Sequence, residues 1–180
     1  MNAAPLGKPV RMRVGEHAVL ALGSNLGDRA GTIQAAVDAL RAEPGIDVRA
    51  VSPLYETPAL RPEGIDEEAP AYVNAVALVH TLLEPLALLG VANAVEDRLG
   101  RVRKEHWGDR TIDIDVVDYG GIVSDDDPRI VLPHPRAHER AFVLVPWAAV
   151  DPDAQLPGYG AVADLAARAT DPVRLWEDRS

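Results

Sequence analysis

Two aspartates, Asp113 and Asp115, are separated by a single residue within the segment RTIDIDVV (110–117). The alternation of apolar and acidic residues is typical of a β-strand, in which successive side chains point to opposite faces. The isoleucines and valine would then face the core, and the two carboxylates would share the other face, roughly 7 Å apart. Paired carboxylates suit Mg²⁺, which prefers oxygen ligands and binds substrate phosphates as well. Two acids on a solvated strand face are the alternative interpretation.

A cluster of positive charge precedes the two aspartates. Residues 98–104 hold four basic side chains and no acidic one, and Arg110 adds a fifth positive charge. Guanidinium groups bind phosphate through paired hydrogen bonds. A basic loop beside paired carboxylates is what phosphoryl transfer requires, although an ordinary exposed turn after a helix has the same composition. The chain has no GxxxxGK[ST] loop, so a nucleotide would be held in another way.

A third group of residues suits a planar heterocycle. Tyr72 and Asn74 lie two apart in the apolar, β-branched segment YVNAVALVHT, so they share one face of a strand. The tyrosine offers a ring for stacking, and the asparagine offers both a donor and an acceptor to an amide edge. Thr57, Pro58 and Phe142, the only phenylalanine in the chain, complete the set. Core packing is the alternative for the two aromatic rings.

The segment LPHPRAHERAF (132–142) is a fourth candidate, because it holds two histidines and two arginines within seven residues. His134 and His138 have no third potential ligand at a helpful spacing. Phosphate contact is therefore a better functional interpretation than a metal site, and a capped turn is the alternative without function.

The elements that must position these residues follow from hydrophobic periodicity. The pattern predicts strands at 17–22, 48–57, 72–81 and 112–119, and helices at 29–42 and from Pro85 to Gly100. It also predicts a long loop at 58–71, a turn at 125–127, mixed strand and turn at 141–150, and a short final helix at 161–169. The order β-α-β-β-α-β indicates an α+β, ferredoxin-like fold, an antiparallel sheet with two helices on one face.

Composition limits the class of protein. The 180 residues are 47% apolar, which fits one domain at 17–180 preceded by an aperiodic, flexible leader at 1–16. Acidic residues outnumber basic ones 28 to 18, and this balance argues against a protein that coats nucleic acid. The absence of cysteine excludes disulfides, zinc–thiolate sites and cysteine nucleophiles. No apolar run approaches the roughly 18 residues of a membrane span, so we expect a cytoplasmic protein without a membrane partner.

In these motifs the chain resembles the 6-hydroxymethyl-7,8-dihydropterin pyrophosphokinase family of folate biosynthesis. The matching segments are ALGSNLGD (21–28), SPLYETPAL (52–60), YVNA (72–75), GRVR (100–103), WGDRTIDIDVV (107–117) and LPHPRAHERAFVL (132–144). They follow the family's order over about residues 17–150. The resemblance implies a ferredoxin-like fold and the transfer of pyrophosphate from ATP to the pterin hydroxymethyl group, with release of AMP.

The resemblance also implies a role for each motif residue. Two Mg²⁺ ions would be held by Asp113 and Asp115, and the pterin would stack between Tyr72 and Phe142. The pterin edge would be read by Asn74, Thr57, Pro58 and Leu60. Phosphates would be bound by Arg101, Arg103, Arg110, His134 and Arg140. Trp107 would lie on a catalytic loop, and the nucleotide would be contacted by Asn93, Glu96 and Val116.

Two other functions remain open at this point. Another Mg²⁺-dependent nucleotidyl or phosphoryl transferase would explain the aspartates, but not the set formed by Tyr72, Asn74 and Phe142. A non-catalytic ligand-binding module would explain neither the carboxylates nor the arginines. The expected partners are two small molecules, ATP and a dihydropterin. The protein itself is expected to be a monomer.

Overall fold

The computed structural model describes residues 14–61, 64–66, 68–100 and 111–177. The helices within these ranges are α1 (Arg29–Ala42), α2 (Pro85–Arg98), α3 (Ala141–Val150) and α4 (Val162–Arg168). The strands are β1 (Glu16–Ser24), β2 (Ile46–Val51), β3 (Tyr55–Thr57), β4 (Ala59–Arg61), β5 (Gly64–Asp66), β6 (Tyr72–Thr81), β7 (Asp113–Tyr119), β8 (Ser124–Asp127), β9 (Ile130–Leu132), β10 (Gln155–Leu156), β11 (Gly160–Ala161) and β12 (Arg174–Leu175). None of the described helices combines the length and the apolar character that crossing a membrane requires.

Six of the described strands form one antiparallel sheet in the order β12-β3-β6-β1-β7, and β2 also pairs with β6. β1 lies between β6 and β7, and its residues 18–22 are buried. Because both faces of this strand are covered, its apolar run is continuous rather than alternating. β2 and β3 follow one another along the other edge of β6, opposite its residues 77–81 and 72–74.

Helices cover both faces of the sheet. α1 and α2 pack on one face, where Ile33, Leu40 and Leu88 join the main hydrophobic core. α3 and α4 pack on the other face, where Leu144 and Trp147 belong to a second core. The structure is therefore a mixed α/β fold with an antiparallel sheet between two helical layers, and the expectation of helices on a single face is incomplete.

Several predicted elements are confirmed, including α1, with the same bounds, and β6. Others are wrong. Residues 141–150 form a helix rather than mixed strand and turn. The segment is apolar on nearly all sides, so its sequence lacks the periodicity that would reveal a helix. Residues 125–127 belong to β8 rather than to a turn, and the predicted long loop contains the β4–β5 hairpin. The predicted strand 48–57 is divided into β2 and β3 by a break that contains Pro53.

The predicted leader spans residues 1–16. Residues 1–13 fall outside the described residues, and β1 already begins at Glu16, one residue before the predicted start of the domain.

Asp28 caps the first helix, since its carboxylate accepts a hydrogen bond from the N–H of Gly31 at 2.9 Å. Replacing it in the Asp28→Ala variant should lower the free energy of unfolding by about 1 kcal/mol. Urea denaturation measures this change. The Asp28→Asn variant keeps the oxygen acceptor and should retain most of the stability, so an equal loss in both variants would contradict the capping role.

Candidate active site

The two aspartates of β7 lie on the face of the sheet that α3 and α4 cover. The alternating residues Ile112, Ile114 and Val116 are buried in the core beneath α1 and α2, which confirms the predicted division of faces. Asp113 and Asp115 are partly exposed on the opposite side. A partly exposed pair of carboxylates on a rigid strand can bind a ligand that arrives from solvent.

Glu96, from the last turn of α2, supports this strand from below. Its side chain is 1% exposed, and its Oε1 accepts a hydrogen bond from the N–H of Ile114 at 2.6 Å. Ile114 lies between the two aspartates, so this bond holds the backbone that carries both carboxylates. Glu96 is predicted from the resemblance to contact a nucleotide, but the structure places it inside the core beneath β7.

Arg140 lies at the start of α3 and faces the aspartates. Its Nη1 is 3.6 Å from Oδ2 of Asp115, and the guanidinium carbon is 5.4 Å from the ring centroid of Phe142. The two side chains of the ion pair are 19% and 37% exposed, respectively. One cation thus connects the acidic side of the site to its aromatic side.

His134 is held as a neutral imidazole. Its Nδ1 accepts a hydrogen bond from the N–H of Arg136 at 3.2 Å, so a proton on the ring is carried by Nε2. Burial and the positive charges of Arg140 and Arg136 lower the pKa of His134 to about 4, against a smaller opposing effect of Asp113. At neutral pH the ring can donate one hydrogen bond without adding a charge.

Asn74 and Thr57 form the opposite end of the site. The Asn74 side chain is 4% exposed, and its Nδ2 donates to Oγ1 of Thr57 at 2.9 Å. Tyr72 lies two residues earlier on the same face of β6, whereas Val73 is buried under α1 and α2. The amide of Asn74 therefore has a fixed orientation before any ligand arrives.

Gly23 lies between the two ends and is not among the predicted site residues. The strand register aligns Asn74 on β6, Gly23 on β1 and Asp113 on β7. A Cβ at Gly23 would be 3.1 Å from Oδ1 of Asn74 and 3.7 Å from Cδ1 of Tyr72. The missing side chain leaves a floor between the amide and the carboxylate, about 10 Å long at the usual strand spacing.

The remaining predicted residues are divided between several places. Phe142 is half-buried on α3, which packs against β6, and Pro58 follows Thr57 directly. Leu60 pairs with Ile65 in the β4–β5 hairpin. Val116 is buried among the residues under α1 and α2, and Asn93 is partly buried on α2, so neither shares the face of the aspartates. Four residues lie outside the described ranges: Arg101, Arg103, Trp107 and Arg110.

The aspartates fit a cation that takes part of its coordination from elsewhere. Among the described residues, no group of three or more His, Cys, Asp and Glu side chains is placed to hold a metal ion. Two carboxylates on one strand face match the hard oxygen donors that Mg²⁺ binds through only one or two protein side chains. Water and phosphate oxygens would complete such a shell.

Comparison with known proteins identifies related sequences. Residues 19–152 match the family described as 7,8-dihydro-6-hydroxymethylpterin-pyrophosphokinase (HPPK). The chain is 48% identical over 141 residues to the 2-amino-4-hydroxy-6-hydroxymethyldihydropteridine pyrophosphokinase of Methylorubrum extorquens, which covers 78% of this chain and 86% of that protein. It is 43% identical to the enzyme of the same name from Pseudomonas aeruginosa, over 82% of this chain and 88% of that one.

Solved structures with the same fold are more distant in sequence. The wild-type HPPK-DHPS of Plasmodium falciparum crystallised with pteroate superimposes with a TM-score of 0.66 at 15% identity. The match covers 88% of this chain and 43% of that one, so this chain spans less than half of the solved protein. At this identity the likeness concerns the fold alone.

The depressed pKa of His134 has a measurable consequence. NMR titration of the imidazole should give a midpoint near pH 4, well below the ordinary value of about 6.5. The unfolded chain takes up this proton near pH 6.5 and the folded chain only near pH 4, so stability contributed by His134 should be lost as the pH falls between them. A His134→Gln variant should show a shallower loss of thermal stability over that range. A midpoint above pH 6 would contradict the neutral, buried ring.

Proposed function

This chain belongs to the 7,8-dihydro-6-hydroxymethylpterin-pyrophosphokinase family, and we propose that it transfers pyrophosphate from ATP to 6-hydroxymethyl-7,8-dihydropterin in folate biosynthesis. The reaction yields AMP and the pterin pyrophosphate. The observation that carries the proposal is the alignment of Asn74, Gly23 and Asp113 across three strands. This alignment supports a site in which a flat ring binds at one end of the floor and the carboxylate pair lies at the other end.

The pterin would bind at the β6 end of this floor. A pterin ring is flat and presents amide-like donors and acceptors along one edge, which suits the fixed amide of Asn74. Because Nδ2 of Asn74 already donates to Thr57, Oδ1 is directed toward the floor and would accept from the ring. Tyr72 and Phe142 would stack on its two faces, and Pro58 and Leu60 would border its edge.

Asp113 and Asp115 would hold two Mg²⁺ ions together with the phosphates of ATP. The hydrogen bond from Ile114 to Glu96 supports this assignment, because it holds the strand in place although the strand carries two carboxylates of like charge. Bound Mg²⁺ would neutralise phosphate charge and orient the ATP for in-line transfer.

The reaction forms a bond between the hydroxymethyl oxygen and the β-phosphorus and breaks the bond from that phosphorus to the oxygen bridging to the α-phosphate. The AMP leaves with the bonding electrons, and the hydroxyl proton passes to solvent. A loose transition state needs little from a general base, so positioning and charge supply most of the catalysis.

Cationic and hydrogen-bonding side chains would hold the phosphates during this step. Arg140 lies beside both Asp115 and Phe142, so its guanidinium can bind a phosphate next to the stacked pterin. His134 would donate from Nε2 to a phosphate oxygen. We assign the remaining phosphate contacts to Arg101, Arg103 and Arg110, and a catalytic role to Trp107.

The nucleotide assignments divide in two. Asn93 remains a candidate contact for the nucleotide, whereas the burial of Glu96 and Val116 favours a role in positioning β7. Further proposals concern the molecule as a whole. The strand order β2-β6-β1-β7, with helices after β1 and β6, supports a ferredoxin-like class. From the sequence we also propose one domain from residue 17 onward, acting as a cytoplasmic monomer on small molecules.

The reaction is tested by the products that ATP gives when the dihydropterin is present. We expect AMP and the pterin pyrophosphate, and formation of ADP or free pyrophosphate instead would overturn the proposal. Asp115→Asn should lower kcat about a thousandfold, because the transferred group loses much of its charge stabilisation. Asp126→Asn, which removes an exposed acid from β8, is the matched control and should retain activity. Circular dichroism should show that both variants fold.

The floor is tested separately by adding a methyl group to it. Gly23→Ala places a Cβ 3.1 Å from Oδ1 of Asn74 and should raise KM for the dihydropterin about tenfold, with little change in KM for ATP. Gly90→Ala is the control, since a Cβ at Gly90 meets no atom within 4 Å. Unchanged dihydropterin KM in the Gly23 variant would place the ring elsewhere.

A further inference from the structure

The C-terminal end of the described chain covers the edge of the sheet next to the pterin floor. β12 pairs antiparallel with β3, so that Arg174 lies opposite Glu56 and Leu175 opposite Tyr55. The N–H of Trp176 then donates to the carbonyl of Leu54 at 2.8 Å. This segment therefore lies against the short strand that carries Thr57.

Glu56 connects this segment to the first helix. Its Oε2 is 3.3 Å from Nη2 of Arg29, and its Oε1 accepts a hydrogen bond from Nε of Arg174 at 2.8 Å. The Glu56 side chain is 12% exposed and that of Arg29 is 23% exposed, so solvent screens their attraction only partly. The Arg29 guanidinium also lies 4.7 Å from the ring centroid of Trp176. We call Arg29, Glu56 and Trp176 the C-terminal clamp.

The clamp holds the backbone immediately before two residues of the proposed pterin site, Thr57 and Tyr72. Arg29 donates from Nη1 to the carbonyl of Ala71 at 2.6 Å, and Ala71 directly precedes Tyr72. The ion-pair partner of Arg29, Glu56, directly precedes Thr57. One guanidinium thus ties the end of β3 to the segment that enters β6, beside the ladder in which Thr57 pairs with Tyr72.

The clamp acts from behind the sheet. Glu56 pairs with Val73, whose side chain is buried beneath α1 and α2, while Thr57 and Asn74 join their side chains on the cleft face. Trp176 packs against the same core as Val73. The clamp residues therefore reach the floor only through the backbone of β3 and β6.

We propose that the C-terminal clamp is a positioning device for the dihydropterin subsite, which rests on the proposed function. It fixes the ends of β3 and β6, and with them the positions of Thr57 and Tyr72 beside the ring. The two aspartates lie on β7, which β6 and β1 separate from β3, so the clamp has little influence on the phosphate end. Loosening it should weaken dihydropterin capture much more than ATP binding or the chemical step.

Steady-state kinetics of Trp176→Ala and Glu56→Gln test this selectivity. Both should raise KM for the dihydropterin about tenfold, while KM for ATP and kcat stay within about twofold of the wild type. Trp176→Phe keeps a ring for the Arg29 guanidinium and should restore KM to within about threefold. The matched control is Asp47→Asn, which breaks an exposed ion pair with Arg49 on β2.

Direct binding separates the clamp from the reaction itself. Calorimetry with the dihydropterin, Mg²⁺ and a nonhydrolysable ATP analogue should show that the Kd for the dihydropterin rises in the clamp variants in parallel with its KM. If Trp176→Ala does not fold, Glu56→Gln carries the same test because it conserves side-chain shape. A parallel rise in the KM values for the dihydropterin and for ATP would contradict the positioning role of the clamp. A lower Tm with both KM values unchanged would also contradict it, and either result would indicate a purely structural role. A wild type that binds the dihydropterin but forms no AMP would contradict the proposed function and leave the binding test of the clamp intact.

Discussion

The hydrogen bond from the N–H of Ile114 to the buried carboxylate of Glu96 holds the strand on which the acidic end of the site depends. Among the described residues, β7 is an edge strand of the sheet, so its outward N–H groups have no neighbouring strand to bond. A buried N–H without a partner is costly, and so is a buried carboxylate. Each satisfies the other here, and the geometry that results leaves Asp113 and Asp115 directed to the opposite face.

The distribution of charge reconciles an acidic protein with an anionic substrate. The net charge is −10, but seven acids are concentrated in residues 63–68 and 125–127. Around the carboxylates of β7 the described neighbours include Arg140 and the neutral His134, and the basic residues of 98–104 precede the same strand in the chain. A strongly negative total is therefore compatible with a local site for phosphate, because the field at close range depends on the nearest charges.

Much of the fold could be predicted where a segment has one covered face. α1 has a clear helical period and an N-cap, and β7 alternates between apolar and acidic residues, so the sequence pattern predicts both. The pattern does not predict α3, because the segment is apolar almost throughout, and it does not predict β8, because a run of three acids resembles a turn. Periodicity reports the contrast between two environments, and it disappears where a segment has only one.

The sequence by itself determined which chemical groups are present and which of them share a face within one strand. That face follows from the geometry of the extended backbone and needs no tertiary contact. Only the tertiary structure decided that Asn74, Gly23 and Asp113 align, because register depends on hydrogen bonds between strands that are distant in the chain. The same holds for Glu56, which meets Arg174 across 118 positions of sequence. Contacts of that range are set by the packing of the whole sheet, and no local pattern specifies them.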